Sequence, residues 1–158
     1  MNRVTSILLL AFSGMPALVM AGDAAPWGGA TTMDIDYAPQ QVLYDLDQGN
    51  PEALANILDR VGYLYQVTGS DPLETSIVVV IHGDTIPLFA IENGKAYREL
   101  MSRAQSLTTG NPVEFRMCQA AARMMDYQPK DIHGFVKMVP MADAEIVRLQ
   151  QEGYAYMR

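Results

Sequence analysis

An α/β domain with a three-layer, mostly parallel open sheet is the architecture this sequence predicts, and three observations predict it. Residues 77–81 form a continuous β-branched run, Ile-Val-Val-Val-Ile, as in a strand covered by helices on both faces. Segments with apolar residues at helical spacing stand before and after that run. Turn clusters, Asp47-Gln48-Gly49, Gly69-Ser70-Asp71-Pro72 and Thr109-Gly110-Asn111-Pro112, punctuate the alternation. Strands joined by helices imply right-handed crossovers and hence parallel pairing.

In chain order, Val42, Leu43, Tyr44, Asp45 and Leu46 read as a first strand. Asn50 then caps a helix that begins at Pro51, where a missing N–H costs nothing, and Leu54, Ile57, Leu58, Val61, Leu64 and Tyr65 form its apolar face. The strand over 77–81 stops at His82-Gly83-Asp84, and a short helix is predicted over 85–91. Tyr97, Leu100, Met101, Ala104 and Leu107 mark the next helix. Val113, Phe115 and Met117 alternate with Glu114, Arg116 and Cys118 in a third strand. A short Ala-rich helix over 119–126 is stopped before Pro129, a fourth strand covers 135–139, and a helix over 144–152 ends at Gly153. Tyr154, Ala155, Tyr156 and Met157 form a terminal strand.

With 158 residues, 49% of them hydrophobic, the chain has enough apolar material for one real core, which excludes disorder and several domains. Its net charge of −7 repels phosphate backbones and anionic lipid, so nucleic acid is not an expected partner. One cysteine excludes a disulfide scaffold and a Cys-rich metal site. Arg3, the apolar stretch from Ile7 to Phe12, and Val19 and Ala21 ahead of Gly22 fit a cleaved secretory signal over 1–21. Ser13, Gly14 and Pro16 interrupt the stretch, which is shorter than the ~20 residues of a membrane span, so no stable membrane insertion is expected after cleavage. Residues 22–40, with Trp27, read as an N-terminal arm, and 41–158 as the single domain.

Ligands of open α/β sheets bind beyond the carboxyl ends of the strands. Three junctions lie there: Asp45 to Gly49, His82-Gly83-Asp84, and Met117-Cys118-Gln119. Cys118 directly precedes a helix, whose amides and dipole stabilise a thiolate, and Arg116 and Arg123 are near in sequence. It is the candidate nucleophile or sulfur carrier; the alternative is a cysteine packed as a small apolar residue. His82 is a candidate acid/base partner, metal ligand or cap of the following turn, while His133 reads as a solvated loop residue. Asp45 and Asp47 are a candidate acid/base pair or, alternatively, caps. Gly83, Arg116, Gln119 and Asp47 flank the junctions and are the candidate substrate-binding residues. There is no nucleotide fingerprint, GxSxG elbow or HExxH, and no cofactor or resident metal is expected. The methionines are dispersed, with only Met124 and Met125 adjacent, as core filling would have them; a Cu(I) set of Cys118, Met117 and His82 is the less favoured alternative.

The segments YDLDQGNPEALANIL, IVVVIHGD, VEFRMCQAA and AEIVRLQQEGYAYMR together resemble the DsrE-like family of the sulfur-relay superfamily, over about residues 41–158. That resemblance implies a flavodoxin-like fold and a homo-oligomer, trimer or hexamer. It assigns Cys118 as the thiol that carries sulfane sulfur as a persulfide, with His82 on a neighbouring strand end. A sulfur donor or acceptor, protein or small compound, is the implied partner. Together with the leader it implies a periplasmic location. Met141-Ala142-Asp143 departs from relatives, which often have a glycine at the start of the last helix. The resulting expectation is an exported sulfur carrier or sulfurtransferase. The alternative is a non-enzymatic ligand-binding or assembly module with Cys118 buried.

Overall fold

Strand β2 (Ser76–Ile81) has no polar side chain after its first residue, and Ile77 through Ile81 are all buried, so this strand must be covered on both faces. The computed structural model describes residues 28–110 and 113–158. The secretory leader expected over 1–21, and Trp27, lie outside the described residues. The chain divides into Met1–Asp34 and Ile35–Arg158. In the first unit, residues 28–34 are exposed and form no helix or strand.

In the second unit, β1 (Gln41–Leu46) is followed by α1 (Pro51–Val67), then β2, a 3-10 helix (Gly83–Phe89) and α2 (Arg98–Thr108). Then come β3 (Val113–Cys118), α3 (Gln119–Met124), β4 (Val136–Val139), α4 (Ala142–Gln151) and β5 (Ala155–Met157). The strand order is β4-β3-β2-β1-β5 and every one of these ladders is parallel, so the α/β class and the parallel sheet are as the sequence predicts.

Local chemistry explains most boundaries. The Asn50 side chain accepts from the Glu52 amide at 2.8 Å, with Pro51 opening α1. The helix α4 ends in a Schellman motif: Gly153, at φ +96, donates to the Gln150 carbonyl and Tyr154 donates to that of Leu149. Two predicted helices come out differently. The segment expected over 85–91 is 3-10 from Gly83 to Phe89, because Pro87 inside it has no N–H for an α-helical ladder. The helix expected to reach Asp126 stops at Met124; Asp126 takes φ +63, and Tyr127 donates back to the Ala122 carbonyl.

Handedness decides how the faces are covered. The chain steps in one direction from β1 to β4, so right-handed crossovers stack α1, α2 and α3 on one face. The return from β4 to β5 runs the other way and lays α4 on the opposite face, over β1 and β2. The first face is the larger core, containing Val42, Tyr44, Ile77, Val79, Phe115 and Met117, with Phe89, Phe115 and Phe135 meeting at centroid distances of 5.7–6.3 Å. The second is small: Leu43, Val78, Val80, Cys118, Ala142 and Leu149.

Ion pairs extend that smaller core. Arg116 of β3 donates to Glu145 of α4 at 2.5 Å and to Glu114 at 2.7 Å, and Glu114 also takes Lys137 of β4 at 2.8 Å. Hydrogen bonds from Arg148 and then Arg116 hold the Glu145 carboxyl down from its ordinary 4.5 to about 2, against burial, which acts upward. For Arg116, burial acts downward but Glu145 and Glu114 outweigh it and leave the value raised.

A depressed carboxyl stabilises the fold above its unfolded value and loses that contribution as pH falls through the folded one. Glu145→Gln is therefore expected to cost on the order of 1–2 kcal/mol at neutral pH, a figure reduced because solvent screens the exposed Arg148. The gap from wild type should close between pH 4.5 and about 2. Urea unfolding at neutral pH and at about pH 3 measures both. A second prediction concerns Gly83, whose φ is +56 and whose added Cβ would sit 3.0 Å from the Asp47 carbonyl oxygen. Gly83→Ala is expected to cost about 1–3 kcal/mol in the same assay. Gly134→Ala, with nothing within 4 Å of the new Cβ, should stay within about 0.5 kcal/mol of wild type.

Candidate functional site

The ends of β3 and β4 are where neighbouring connections part, since α3 leaves toward one face and α4 toward the other. Such a crevice is the usual ligand position in an open parallel sheet. Cys118 is the last residue of β3 at this point, paired with Val139 of β4. Its sulfur accepts the Ala121 amide at 3.4 Å, so it caps α3. The crevice is closed. Ala120 of α3 donates to the Pro140 carbonyl at 3.3 Å, Ala142 of α4 packs on the sulfur's cluster, and Cys118 is 5% exposed.

Alternation places Cys118 and Met117 on opposite faces of β3. Met117 belongs to the large core and Cys118 to the small one. The Cu(I) set of Cys118, Met117 and His82 is therefore not assembled, and no group of three or more His, Cys, Asp or Glu side chains converges for a metal among the described residues.

His82 is in extended conformation and does not cap the turn after it. Its Nε2 instead lies 2.7 Å from Oδ1 of Asp45 on β1, with the two side chains 25% and 12% exposed. The other Asp45 oxygen accepts from the Tyr156 hydroxyl at 2.5 Å, a bond between strand ends 111 residues apart. That bond to Asp45 raises the Tyr156 hydroxyl above its usual range, and burial adds to it. Asp45 and Asp47 do not pair, because Asp47 accepts from Arg158 at 3.1 Å. Asp45, Asp47, Asn56, Arg60 and Arg158 line a cavity of about 190 Å³ at this end of the sheet.

The remaining sequence candidates separate. Gly83 is explained by its backbone and the tight approach of Asp47, as Gly49 is by an approach of 2.7 Å to the Asp84 carbonyl oxygen. Gln119 opens α3 directly after the sulfur and is half-buried. Arg116 shares the face of Cys118, and all three of its guanidinium nitrogens donate to Glu114 or Glu145. Arg123 is exposed in the last turn of α3. His133 is not a solvated loop residue. Its ring stacks on Phe135 at 5.8 Å, and its Nε2 is buried with no hydrogen-bond partner among the described residues. Tyr156 and Glu145 were not among the sequence candidates, because nothing local marks which strand or helix they face.

No helix among the described residues is long and apolar enough to cross a membrane. A comparison with curated proteins finds no match. Among solved structures, a protein of unknown function from Methanobacterium thermoautotrophicum is similar, with a TM-score of 0.66 and 22% identity. The match covers 75% of this chain and 98% of that one, and it supports the fold. The sequence profile of the DsrE/DsrF-like family matches residues 50–158, which takes in β2 with His82, β3 with Cys118, and the whole of α4 and β5. The chain belongs to the DsrE/DsrF-like family.

Proposed function

We propose that this protein is a sulfur carrier of the sulfur-relay type, in which Cys118 accepts sulfane sulfur as a persulfide and passes it on. Family membership supports a relay-type role in general. One observation carries the specific reading: the chain's single cysteine ends β3 at the crevice, with its sulfur on the Ala121 amide. A thiolate there attacks the outer sulfur of a donor, a small sulfur compound or a protein persulfide, and the amide bears part of the charge on the sulfur.

The reaction needs the crevice to open. What holds it is the backbone bond from Ala120 to Pro140, the pairing of Cys118 with Val139, and the first turn of α4, where Ala142 is buried and Glu145 is paired with Arg116. Met141 makes no side-chain cap at this helix start, so opening breaks those contacts but no capping bond. The leader over 1–21 supports export to a periplasm, and the family resemblance supports a homo-oligomer; both belong to this proposal.

The 5% exposure of Cys118 favours a second reading, a binding or assembly module in which the thiol only fills the small core. Mass spectrometry of the folded protein after polysulfide treatment separates the two. The carrier gains one sulfur atom on Cys118, releases it to added thiol, and gains none as Cys118→Ala. A free thiol confirmed in the denatured protein, together with no sulfur gained by the folded one, establishes the packing role instead.

A further inference from the structure

Asp45, His82 and Cys118 occupy the carboxyl ends of three adjacent strands, on the face covered by α4. The ladders set this arrangement. Leu46 pairs with Ile81 and Ile81 with Met117, and the His82 amide continues the pattern by donating to the Leu46 carbonyl at 3.0 Å. Extended by one residue, the register places the His82 backbone opposite that of Cys118 at the spacing of neighbouring strands, about 4.8 Å, while in the closed fold the His82 ring bonds Asp45 and the Cys118 sulfur bonds the Ala121 amide. Alternation gives both the same face as Asp45.

The geometry points to a proton relay in which Asp45 and Tyr156 are positioning residues that hold His82 as the proton acceptor for the Cys118 thiol. An ionised carboxylate only accepts hydrogen bonds, so Asp45 Oδ1 at 2.7 Å selects the imidazole tautomer with its proton on Nε2. Nδ1 is then the nitrogen with a free lone pair. Tyr156 donates to Oδ2 at 2.5 Å and fixes the carboxylate from its other side. Both carboxylate oxygens are engaged, and Asp45 is mostly buried, so the imidazole orientation is built into the strand ends. His82 itself is a quarter exposed and exchanges protons with water.

The relay rests on the sulfur-carrier reading for the identity of the electrophile. In the reaction, Cys118 S–H gives its proton to Nδ1 while Nε2–H stays on Asp45. The thiolate forms an S–S bond to the outer sulfur of a donor persulfide R–S–SH, the donor's own S–S bond breaks, and the departing R–S thiolate takes the proton from His82. Cys118 thiol and R–S–SH become Cys118 persulfide and R–SH, with no external oxidant. Other charges around the site are mostly neutralised in pairs: Asp47 by Arg158, Glu114 by Arg116 and Lys137, and Glu145 by Arg116 and Arg148. Asp84 of the 3-10 helix, Asp143 in the first turn of α4 and Arg123 of α3 complete the set on the flanking elements.

The test is the rate of iodoacetamide alkylation of Cys118 in the full chain against pH, for wild type, His82→Gln, Asp45→Asn, Asp45→Glu and Tyr156→Phe. Asp45→Asn and His82→Gln are expected to displace the profile toward alkaline pH and slow labelling at neutral pH about tenfold, the effect of a one-unit displacement. Asp45→Glu should recover part of the loss and Tyr156→Phe show a smaller one. The alkaline plateau should be shared by all, which shows that access to the sulfur is unchanged. Profiles of Asp45→Asn and Tyr156→Phe that superimpose on wild type, or that differ only in plateau height, overturn the relay. Sulfur loading is scored separately by mass. A displaced profile without loading sinks the carrier reading and leaves the relay standing, and loading with an unmoved profile does the reverse.

Discussion

A strand buried on both faces fixes much of this molecule. From Ile77 to Ile81 every β2 side chain meets hydrocarbon, odd positions in the large core and even positions in the small one. A one-residue slip against β1 or β3 would exchange the faces of every side chain on the moving strand. It would expose Phe115 and Met117 on the thinly covered face and push Glu114 and Arg116 into the aromatic core. Register is therefore strongly specified. The same register puts Asp45, His82 and Cys118 on one face near the ends of adjacent strands, with Asp45 opposite Val80 and reaching His82 diagonally, so the polar arrangement there is a by-product of hydrophobic packing further down the strands.

The handedness of the crossovers supplies the other half of the argument. Three connections in one direction cover one face, which leaves a single helix for the face that carries the cysteine. The helix α4 is held there by Leu149, Ala142 and the Arg116–Glu145 pair, which ties its first turn to β3. A thiol placed this way is shielded from solvent while the fold is closed, and a reagent reaches it only when the cover over β3 opens.

Most of the architecture was legible because it depends on local chemistry. The β-branched run of β2, the Asn50–Pro51 start of α1 and the alternation in β3 are each complete within a few residues. Placing Cys118 at a strand end before a helix needed nothing more. What was misread depends on contacts between distant segments. Arg116 lies two residues from Cys118, yet its hydrogen bonds go to Glu114 and to Glu145, 29 residues on. His133 lies in a polar stretch but is drawn in because its amide donates to the Phe89 carbonyl, which sets its ring on Phe135. Tyr156 meets Asp45 only because β5 crosses the sheet to pair with β1, and strand order is not encoded in hydrophobic periodicity.

Electrostatic balance decides which group governs the chemistry of the sulfur. Arg116 looked like its stabilising cation, but it is paired with Glu114 and Glu145, which in turn take Lys137 and Arg148, so its charge is spent within that network. The Ala121 amide contributes on the order of 1 kcal/mol, as a single hydrogen bond does. An imidazolium carries a full positive charge, which an amide dipole does not, and its attraction for a thiolate grows as the two side chains approach. Asp45 alone would oppose a thiolate; once His82 has taken the proton, carboxylate and imidazolium form a neutral pair and that opposition disappears. The proposed proton transfer thus removes the main charge that disfavours it, which makes the histidine and its carboxylate, rather than the arginines, the groups on which ionisation of Cys118 turns.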